Sequence, residues 1–211
     1  MTTTIEKQFV HDTYQKIARD FSTTRAYLWS SVKTFLDSIE PFSTIVEIGS
    51  GNGKNLLYRT DCVNLAFDLC ENFTIISQDK GIESVVSNNL HIPLLDKCAD
   101  YVLSVAVIHH LSTHERRYQA VLELVRILKI GGRLLIQVWA MEQPENSRRK
   151  FTQQDNFVEF NNPQNTQKEH RFYHVFKEDE LEDMIKNIPN VTIISRYWEI
   201  GNWVMIIEKS M

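Results

Sequence analysis

The run Thr44-Ile-Val-Glu-Ile-Gly-Ser-Gly-Asn-Gly53 decides the fold of this chain. A mostly apolar segment of five residues comes first, and glycines at positions 49, 51 and 53 follow at once. Glycines at the end of a strand permit a tight turn and let backbone N–H groups approach a ligand at the start of a helix. The spacing is GxGxG, which is neither the GxGxxG of dinucleotide sites nor a phosphate-binding loop that ends in Lys-Ser or Lys-Thr. The run therefore predicts a ligand-binding turn after a buried strand.

Apolar segments and helical patterns alternate on both sides of this turn. Strands are expected at residues 44–48, 64–67, 83–87, 99–105 and 133–139, and helices at 54–59, 71–78 and 113–128. Such alternation is typical of an α/β fold with a doubly wound, mostly parallel sheet. Two more strands, 191–195 and 201–208, are joined by a loop too short for a parallel crossover. The last of the seven strands is therefore predicted to be antiparallel.

The pattern continues along the chain without an internal repeat, which predicts a single domain over residues 1–211. Residues 1–40 form a helical N-terminal segment, because apolar residues recur there at the spacing of one helix face. Residues 142–171 are polar and contain two prolines and one short apolar patch. We expect this stretch to be a long, functional loop.

The composition indicates the class of protein. With 43% hydrophobic and 24% charged residues, a chain of 211 residues is ample for a folded core and is not disordered or fibrous. No apolar run reaches the roughly 18 residues of a membrane span, and no secretory signal begins the sequence. Three cysteines without a CxxC pair argue against a disulfide or zinc framework, so we expect a cytoplasmic protein without a metal site. A formal net charge of −4 by itself argues against RNA or DNA as the substrate.

Two acidic residues complete the ligand site at the glycine turn. Asp68 follows the second strand, where its carboxylate can accept hydrogen bonds from two ribose hydroxyls of an adenosine-type ligand. Glu47 beside the glycines would repel a pyrophosphate but attract the ammonium group of an amino acid. In this combination the chain resembles the class I S-adenosylmethionine-dependent methyltransferases. The resemblance implies a Rossmann-like fold and S-adenosyl-L-methionine as the cofactor.

The resemblance also implies which residues surround the cofactor. They are Tyr14, Glu47, Gly49, Ser50, Gly51, Gly53, Asp68, Leu69, Asn88, Asn89, Leu90, Ser104 and Val105. One position departs from the family pattern, because Asn88 stands where the family usually has an acid that contacts the adenine amino group. Its side-chain oxygen can still accept that hydrogen bond. Tyr14 could cover the cofactor or merely pack.

A second stretch indicates the methyl acceptor. The run Ser104-Val-Ala-Val-Ile-His-His-Leu-Ser-Thr-His-Glu-Arg-Arg117 resembles the eukaryotic tRNA methyltransferases that esterify 5-carboxymethyluridine at the wobble position of the anticodon. The likeness extends through Phe21-Ser-Thr-Thr-Arg25, Trp139-Ala-Met-Glu-Gln143 and Arg171-Phe-Tyr-His174. Family members often carry a long polar insertion before the last of these motifs, and here it is brief. The resemblance implies a tRNA anticodon stem-loop as the substrate.

A carboxylate acceptor is already ionised near neutral pH, so the reaction needs no strong general base. Catalysis then depends on orienting one carboxylate oxygen toward the methyl group. The candidates are Arg25 as a clamp for the carboxylate, His109 or His110 as a hydrogen-bond donor, and Trp139 as a wall against the uracil ring. Arg25 could equally hold the carboxylate of the cofactor. One histidine could serve only in packing, and Trp139 could belong to the core.

A tRNA substrate requires local positive charge, because phosphate contacts come from Lys and Arg. Between residues 146 and 171 the sequence has five Lys or Arg and three Asp or Glu, a net charge of +2 within a chain of −4. The candidate RNA contacts are Arg116, Arg117, Arg148, Arg149, Lys150, Lys168 and Arg171. The basic segment could instead be an ordinary solvated loop. Because the chain offers few phosphate contacts, we expect it to bind tRNA weakly on its own.

The resemblance further implies a heterodimer with a small zinc-binding activator protein that docks beside the third strand. In this fold that strand is an edge of the sheet, and its unpaired backbone groups can accept a partner. The expected interface residues are Phe73, Ile76, Ser84, Val85 and Val86. Phe73, Ile75 and Ile76 could equally form the ordinary core face of a helix.

Two alternatives share the fold. A small-molecule carboxylate methyltransferase needs the same cofactor site but no basic loop. A catalytically inert subunit would keep the fold only to support a partner, although the intact Glu47, Asp68 and glycines argue against it.

Overall fold

Seven strands form one sheet, and helices pack on both of its faces. The structure is a computed structural model that describes residues 2–25, 27–160 and 168–211. In that part of the chain the strands are β1 (Thr44–Ile48), β2 (Val63–Asp68), β3 (Glu83–Val86), β4 (Ala99–Val105), β5 (Leu128–Trp139), β6 (Asp155–Phe160), β7 (Glu169–His174), β8 (Val191–Glu199) and β9 (Asn202–Lys209). The sheet has the order β3-β2-β1-β4-β5-β9-β8, and only β9 runs antiparallel to its neighbours. The predicted seven-stranded, doubly wound sheet with an antiparallel last strand is confirmed.

The helices connect these strands and cover the sheet. Within the same described ranges the α-helices are α1 (Thr4–Glu6), α2 (Asp12–Thr23), α3 (Ser30–Asp37), α4 (Glu71–Gln78), α5 (His114–Ile127) and α6 (Glu180–Ile185). A π-helical turn (Lys7–His11) joins α1 to α2. None of the helices in the described part is long and apolar enough to cross a bilayer.

The core explains why the strands are apolar on both sides. Adjacent strand residues point to opposite faces of the sheet, and both faces are covered here. In β4, Val102 packs in the layer that contains α5 and α6, whereas Leu103 packs in the layer that contains α3. The parallel strands end at a common edge, where their connections to the helices bring the glycine turn and the residues after β4 together.

The prediction of an irregular loop over residues 142–171 is wrong for two parts of it. Residues 155–160 form β6, which pairs antiparallel with β7, so that a small two-stranded sheet stands beside the main one. Phe157 and Phe172 are directly opposite each other in this pair, with ring centroids 5.8 Å apart. Each strand has too little apolar alternation to be recognised alone, because its stability comes from pairing across the chain. Residues 161–167 of the predicted loop lie outside the described residues.

The predicted helix over residues 54–59 is also wrong. The chain forms only one short 3-10 turn there, Leu56–Tyr58. The side chain of Asn64 on β2 donates hydrogen bonds to the carbonyl oxygens of Leu56 and Arg59 at 3.1 and 2.7 Å. Those carbonyls are thereby satisfied without a continuing helix, which is how Asn side chains compete with helical hydrogen bonds.

A buried ion pair fastens the N-terminal helices to the rest of the fold. Glu6 is only 4% exposed, and its carboxylate accepts hydrogen bonds from Arg116 at 2.8 and 2.6 Å. The backbone N–H and hydroxyl of Ser112 donate to the same carboxylate at 2.8 and 2.9 Å. These partners hold the pKa of Glu6 below its usual range although burial opposes them. The predicted RNA contact at Arg116 is therefore wrong, because its guanidinium is committed to Glu6.

Removing one member of this pair should destabilise the fold. We expect Arg116→Met to lower the free energy of unfolding by about 3 kcal/mol at pH 7, because it leaves a buried carboxylate without its cation. The double variant Glu6→Gln/Arg116→Met should regain part of the loss, since no charge is then stranded. Denaturant unfolding of both variants measures the effect, and additive losses would contradict the pairing.

Candidate active site

A cavity of about 620 Å³ opens at the edge where the parallel strands end. The ends of β1, β2, β4 and β5 contribute its floor, and α2 with the residues that follow it covers it from above. This is the position where doubly wound α/β proteins bind their ligands. The volume suits a nucleotide-sized group together with part of a second molecule.

The glycine turn brings the backbone against this cavity. Gly49 has φ +73°, and a Cβ atom built there would lie 2.4 Å from the side chain of Val107, so only glycine fits. The backbone N–H of Gly51 donates to the carboxylate of Asp68 at 2.8 Å. Gly53 also has a positive φ, but its missing Cβ leaves room for Ile82 rather than for a ligand. Gly53 therefore does not line the cavity, contrary to the prediction.

The two predicted acids both lie in the cavity wall. Asp68 accepts backbone N–H groups on both oxygens, from Gly51 and from Cys70, each at 2.8 Å, which fixes its orientation. Burial raises the pKa of Asp68 to about 6, although these donors oppose the shift. Burial also raises the pKa of Glu47 to about 8, against the hydrogen bond from Asn55 at 2.6 Å. The carboxyl group of Glu47 is therefore uncharged over much of the neutral pH range until a cation approaches it.

Ten of the thirteen predicted cofactor residues line the cavity. They are Tyr14, Glu47, Gly49, Ser50, Gly51, Asp68, Leu69, Asn88, Asn89 and Val105. Their contacts with a cofactor remain predictions. Besides Gly53, the predicted position is wrong for Leu90, which packs in the core, and for Ser104, which is buried within β4. The side-chain oxygen of Asn88 already accepts the backbone N–H of Leu90 at 2.9 Å, which leaves it one lone pair for an adenine amino group.

The two adjacent histidines have different surroundings. The Nδ1 atom of His110 lies 2.7 Å from the carbonyl of Phe172, so this nitrogen carries the proton and Nε2 accepts the hydroxyl of Tyr14 at 3.0 Å. The Nδ1 atom of His109 accepts the backbone N–H of Trp139 at 3.1 Å, which puts the proton on Nε2. That Nε2 is buried and has no partner among the described residues. His109 therefore keeps an unused donor in the cavity wall, and His110 does not.

Both histidines are neutral. Burial lowers the pKa of His110 to about 3 and lowers the pKa of His109 well below its usual value. The hydroxyl of Tyr14 also lies 3.3 Å from that of Tyr173, which accepts a hydrogen bond from Arg171 at 2.7 Å. A continuous chain of hydrogen bonds thus runs from Arg171 through two tyrosines to His110.

Trp139 cannot serve as an open wall for a base. One face of its indole stacks on Tyr173, with ring centroids 4.0 Å apart and planes 12° from parallel. The guanidinium carbon of Arg149 lies 4.3 Å from the centroid of the same ring. Two groups this close to one centroid must lie on opposite faces, so both faces are covered. The prediction that Trp139 stacks against the uracil ring is wrong for this arrangement, although the indole edge still lines the cavity.

Three arginines converge at this end of the cavity without a carboxylate partner among the residues that the structure describes. The guanidinium of Arg25 packs over the ring of Phe21 at 4.5 Å and donates to its neighbour Thr24. Arg149 rests on Trp139, and desolvation lowers its pKa while the positive charges of Arg171 and Arg25 lower it further. Arg25 and Arg149 both line the cavity, and this concentration of positive charge suits an anionic group.

The predicted RNA contacts separate into buried and exposed residues. Arg171 is 3% exposed and lies within 5.2 to 6.0 Å of four aromatic ring centroids. Arg117 is 4% exposed and donates to the carbonyl of Leu111. The prediction of phosphate contacts is therefore wrong for Arg117 and Arg171, because their charges are inside the protein. Exposed positions remain at Arg148, Arg149, Lys150 and Lys168.

The predicted partner interface is also divided. β3 is an edge strand of the sheet, as expected, and the side chains of Val85 and Val86 are 50% and 49% exposed. Phe73 is 4% exposed and packs beside Tyr14, so its prediction as an interface residue is wrong. Ser84 is also buried, while Ile76 is partly buried against the same cluster. Phe73 belongs to the buried face of α4, and Ser84 is the one buried residue of the edge strand β3.

One residue with an evident place in the site was not assigned a role from the sequence. Tyr173 lines the cavity, stacks on Trp139 and joins Arg171 to Tyr14. It belongs to the Arg171-Phe-Tyr-His174 motif, which was the available signal. Its place could not be seen from the sequence, because a hydrogen-bonded hairpin with a strand of the predicted loop is needed to bring Tyr173 to the cavity.

Comparison with known proteins identifies relatives of the whole fold. Residues 46–136 match the family model described as a methyltransferase domain. The tRNA (carboxymethyluridine(34)-5-O)-methyltransferase of Schizosaccharomyces pombe is 35% identical over 226 residues, which cover 97% of this chain and 98% of that protein. The tRNA (carboxymethyluridine(34)-5-O)-methyltransferase alkbh8 of Xenopus tropicalis is 32% identical over 98% of this chain. The chain spans only 41% of the length of that Xenopus relative.

Solved structures show the same fold at low sequence identity. A methyltransferase in complex with the Haloferax volcanii Trm112 methyltransferase activator superposes with a TM-score of 0.69 at 15% identity. The match covers 96% of this chain and 98% of that one. At this identity the similarity establishes the architecture alone.

The cofactor of this methyltransferase domain is S-adenosylmethionine, and the residues of the cavity fit it. Oε2 of Glu47 and the hydroxyl of Ser50 are buried in the wall without a partner among the described residues. An amino-acid ammonium would satisfy an orphaned carboxylate oxygen. Asp68 provides oriented acceptors at the end of β2, where a ribose is expected.

The raised pKa of Glu47 predicts that cofactor binding depends on pH. A bound ammonium favours the charged carboxylate, so below pH 8 binding must release the proton of Glu47. The affinity for S-adenosylhomocysteine should therefore rise between pH 6 and pH 7 by up to about tenfold. Calorimetry in buffers of different ionisation enthalpy should detect the released proton. Glu47→Gln should bind more weakly and lose both the slope and the proton release, and a slope that persists in this variant would contradict the assignment.

Proposed function

Because this chain belongs to the tRNA (carboxymethyluridine(34)-5-O)-methyltransferase family, we propose that it methylates the carboxylate of 5-carboxymethyluridine at the wobble position of tRNA. The proposal depends on Arg25, Arg149 and Arg171, which lie close together beside the predicted cofactor residues. None of the three has a carboxylate partner in the described part of the chain. Unpaired positive charge next to a methyl-donor site favours an anionic acceptor. A small-molecule acceptor is not supported by the relatives, which are named for tRNA.

The neutral histidines agree with an acceptor that needs no general base. A carboxylate has a pKa near 4 and is ionised at pH 7. S-Adenosylmethionine, when bound, supplies an electrophilic methyl group. A carboxylate oxygen would take this methyl group while the cofactor leaves as a neutral thioether, so no residue of the chain would have to move a proton. The protein has only to orient one oxygen and exclude water, which neutral His109 and His110 can do as hydrogen-bonding groups.

Arg149 is the best-placed clamp for the carboxylate. Its guanidinium is positioned over Trp139 without using an N–H donor on a protein carboxylate, so its fork of donors remains available for a bidentate contact. Arg25 is the second candidate and could instead hold the carboxylate of the cofactor. The buried Nε2–H of His109 could donate to the oxygen that does not react. Trp139 then supports Arg149 instead of contacting the uracil.

The exposed basic residues support a weak contact with the anticodon stem-loop. Arg148, Lys150 and Lys168 are on the surface, and Lys168 is partly neutralised by Glu159 at 3.0 Å. Fewer phosphate contacts are therefore available than the sequence suggested, and a partner would have to supply more. We propose that a small, zinc-binding activator docks on the edge of β3 and forms a heterodimer with this chain. The exposed Val85 and Val86 support this docking edge.

The reaction can be tested directly with tRNA. The chain is incubated with labelled S-adenosylmethionine, an activator of the Trm112 type, and tRNA that carries 5-carboxymethyluridine at position 34. We expect a label that mild base removes as methanol, because the product is a methyl ester. The same tRNA with unmodified uridine is the control. Label in the control, or a base-stable label, would contradict a carboxylate acceptor.

The role of Arg149 as a carboxylate clamp can be tested with its neighbour Arg148 as the control. We expect Arg149→Ala to lower kcat/KM for tRNA about thirtyfold, the effect of losing one charge-assisted hydrogen bond, with an unchanged affinity for S-adenosylhomocysteine. Arg148→Ala removes an exposed charge that does not line the cavity and should cost about threefold or less at low salt. Steady-state kinetics at two salt concentrations separates them, because only the Arg148 effect should vanish at high salt. Equal losses in both variants would remove Arg149 from the clamp.

Docking of the activator on β3 can be tested with one variant on this strand and one control variant on β2. Val85→Glu places a charge on the exposed face of β3 and should abolish co-purification with the activator protein. Val63→Glu changes a valine that is similarly exposed, at 55%, but lies at the start of β2. It should leave the complex intact. A complex that survives Val85→Glu, in a variant with an unchanged melting temperature, would exclude β3 as the docking edge.

A further inference from the structure

A strained turn holds an apolar side chain at the mouth of the cavity. Ile200 and Gly201 form the two-residue connection between β8 and β9, and both have positive φ, +44° and +78°. Hairpin turns of this kind favour Asn-Gly, because a β-branched residue is strongly disfavoured at positive φ. Ile200 is nevertheless 65% exposed, so its side chain gains little from burial within the protein. The sequence thus accepts strain without any packing that offsets it.

The surrounding contacts hold this turn in place. The carbonyl of Gly201 accepts the backbone N–H of Ala140 at 2.9 Å and the side chain of Gln143 at 3.0 Å. On the other side of the turn, the carboxylate of Glu199 accepts the backbone N–H of Ser31 at 3.0 Å and its hydroxyl at 2.5 Å. The turn is therefore anchored both to the segment after β5 and to the first turn of α3. Strain that persists at a rigidly held position next to a site is a sign of function.

The second exposed apolar group at this mouth precedes α3. Tyr27 is 89% exposed and lines the same cavity as Ile200. Its backbone carbonyl accepts the ammonium of Lys54 at 2.7 Å, which ties this part of the chain to the glycine turn. The contact between Glu199 and Ser31 brings the segment of Tyr27 and the turn of Ile200 to the same rim. Neither side chain is required by the core, and both are available to a large ligand.

We propose that Ile200 and Tyr27 contact the unpaired bases that flank the wobble uridine when it enters the cavity. The proposal rests on the proposed function. A base that enters a pocket leaves the stack of its neighbours, and proteins replace that stacking with aromatic rings and apolar wedges such as isoleucine. Ile200 acts as the wedge, and Tyr27 provides a ring for a neighbouring base. These apolar contacts add selectivity for a single-stranded loop that the few exposed basic residues do not supply.

The test uses the substitution that the turn itself favours. Ile200→Asn should raise the melting temperature by about 3 °C, because asparagine tolerates positive φ. The same variant should lower kcat/KM for an anticodon stem-loop that carries 5-carboxymethyluridine about tenfold, the effect of losing one base contact. Its affinity for S-adenosylhomocysteine should not change. A variant that becomes more stable but less active cannot owe the loss to misfolding.

Phe42→Asn is the matched control. Phe42 also has positive φ, +65°, and is 87% exposed, but it precedes β1 at the end of the sheet opposite the cavity. Its substitution should raise the melting temperature and leave kcat/KM unchanged. Tyr27→Ala should reduce kcat/KM, whereas Tyr27→Phe should retain most of it. All assays use the conditions under which the wild-type chain methylates tRNA.

The outcomes separate this inference from the proposed function. If Ile200→Asn and Tyr27→Ala both keep kcat/KM within twofold of wild type, the base contacts are refuted while tRNA methylation stands. If the wild-type chain with its activator does not methylate the stem-loop, the proposed function itself fails. A loss in Phe42→Asn equal to that in Ile200→Asn would also refute the inference, because it would show a general effect of altering a turn.

Discussion

The pocket depends on one chain of hydrogen bonds that joins three separate parts of the fold. Arginine can only donate and a carbonyl can only accept, so the direction of every bond is fixed from Arg171 through Tyr173, Tyr14 and His110 to the carbonyl of Phe172. The small hairpin, the N-terminal helices and the segment after β4 are thereby held against one another. Because each hydroxyl and ring nitrogen in the chain has a partner, these aromatic side chains can be buried beside a cavity. The arrangement also explains why His110 is neutral and His109 alone keeps an unused donor.

An element of this fold could be predicted from the sequence when its own residues show why it forms. It could not when its stabilising contacts come from a distant part of the chain. Strands β1 and β4 are buried on both faces and appear in the sequence as continuous apolar runs, so they could be recognised without their neighbours. The glycine turn could also be recognised from its own residues, because its backbone conformation requires glycine. The hairpin of β6 and β7 was not, because its pairing partner lies across residues 161–167 and its apolar positions are few. The short turn after Gly53 was missed because Asn64, a residue of β2, replaces the helical hydrogen bonds.

The residues of the candidate site also differ in how well the sequence predicted their positions. Residues whose role depends on the backbone turn, such as Gly49, Gly51 and Asp68, were placed correctly in the wall by sequence reasoning. Residues identified by charge alone were not, since a guanidinium has the same sequence signature whether it meets a phosphate or an internal partner. Arg117 and Arg171 are inside the protein, and only the fold shows it. The net charge of −4 therefore understates the positive potential at the cavity, where unpaired arginines are concentrated.

Several local rules of protein stability are broken around this one cavity. Glu47 is a buried carboxyl without a full set of partners, Arg25 and Arg149 carry charge without a carboxylate among the described residues, and Ile200 occupies a backbone conformation suited to asparagine or glycine. Burying Glu47 and holding Ile200 at positive φ cost folding free energy, and each of the three features suits a ligand of a particular kind: an ammonium, an anion or the face of a base. Three different ligand chemistries at one mouth do not suit a small carboxylic acid with its cofactor alone. They suit a cofactor, an anionic acceptor group and a base-rich loop that meet in a single pocket.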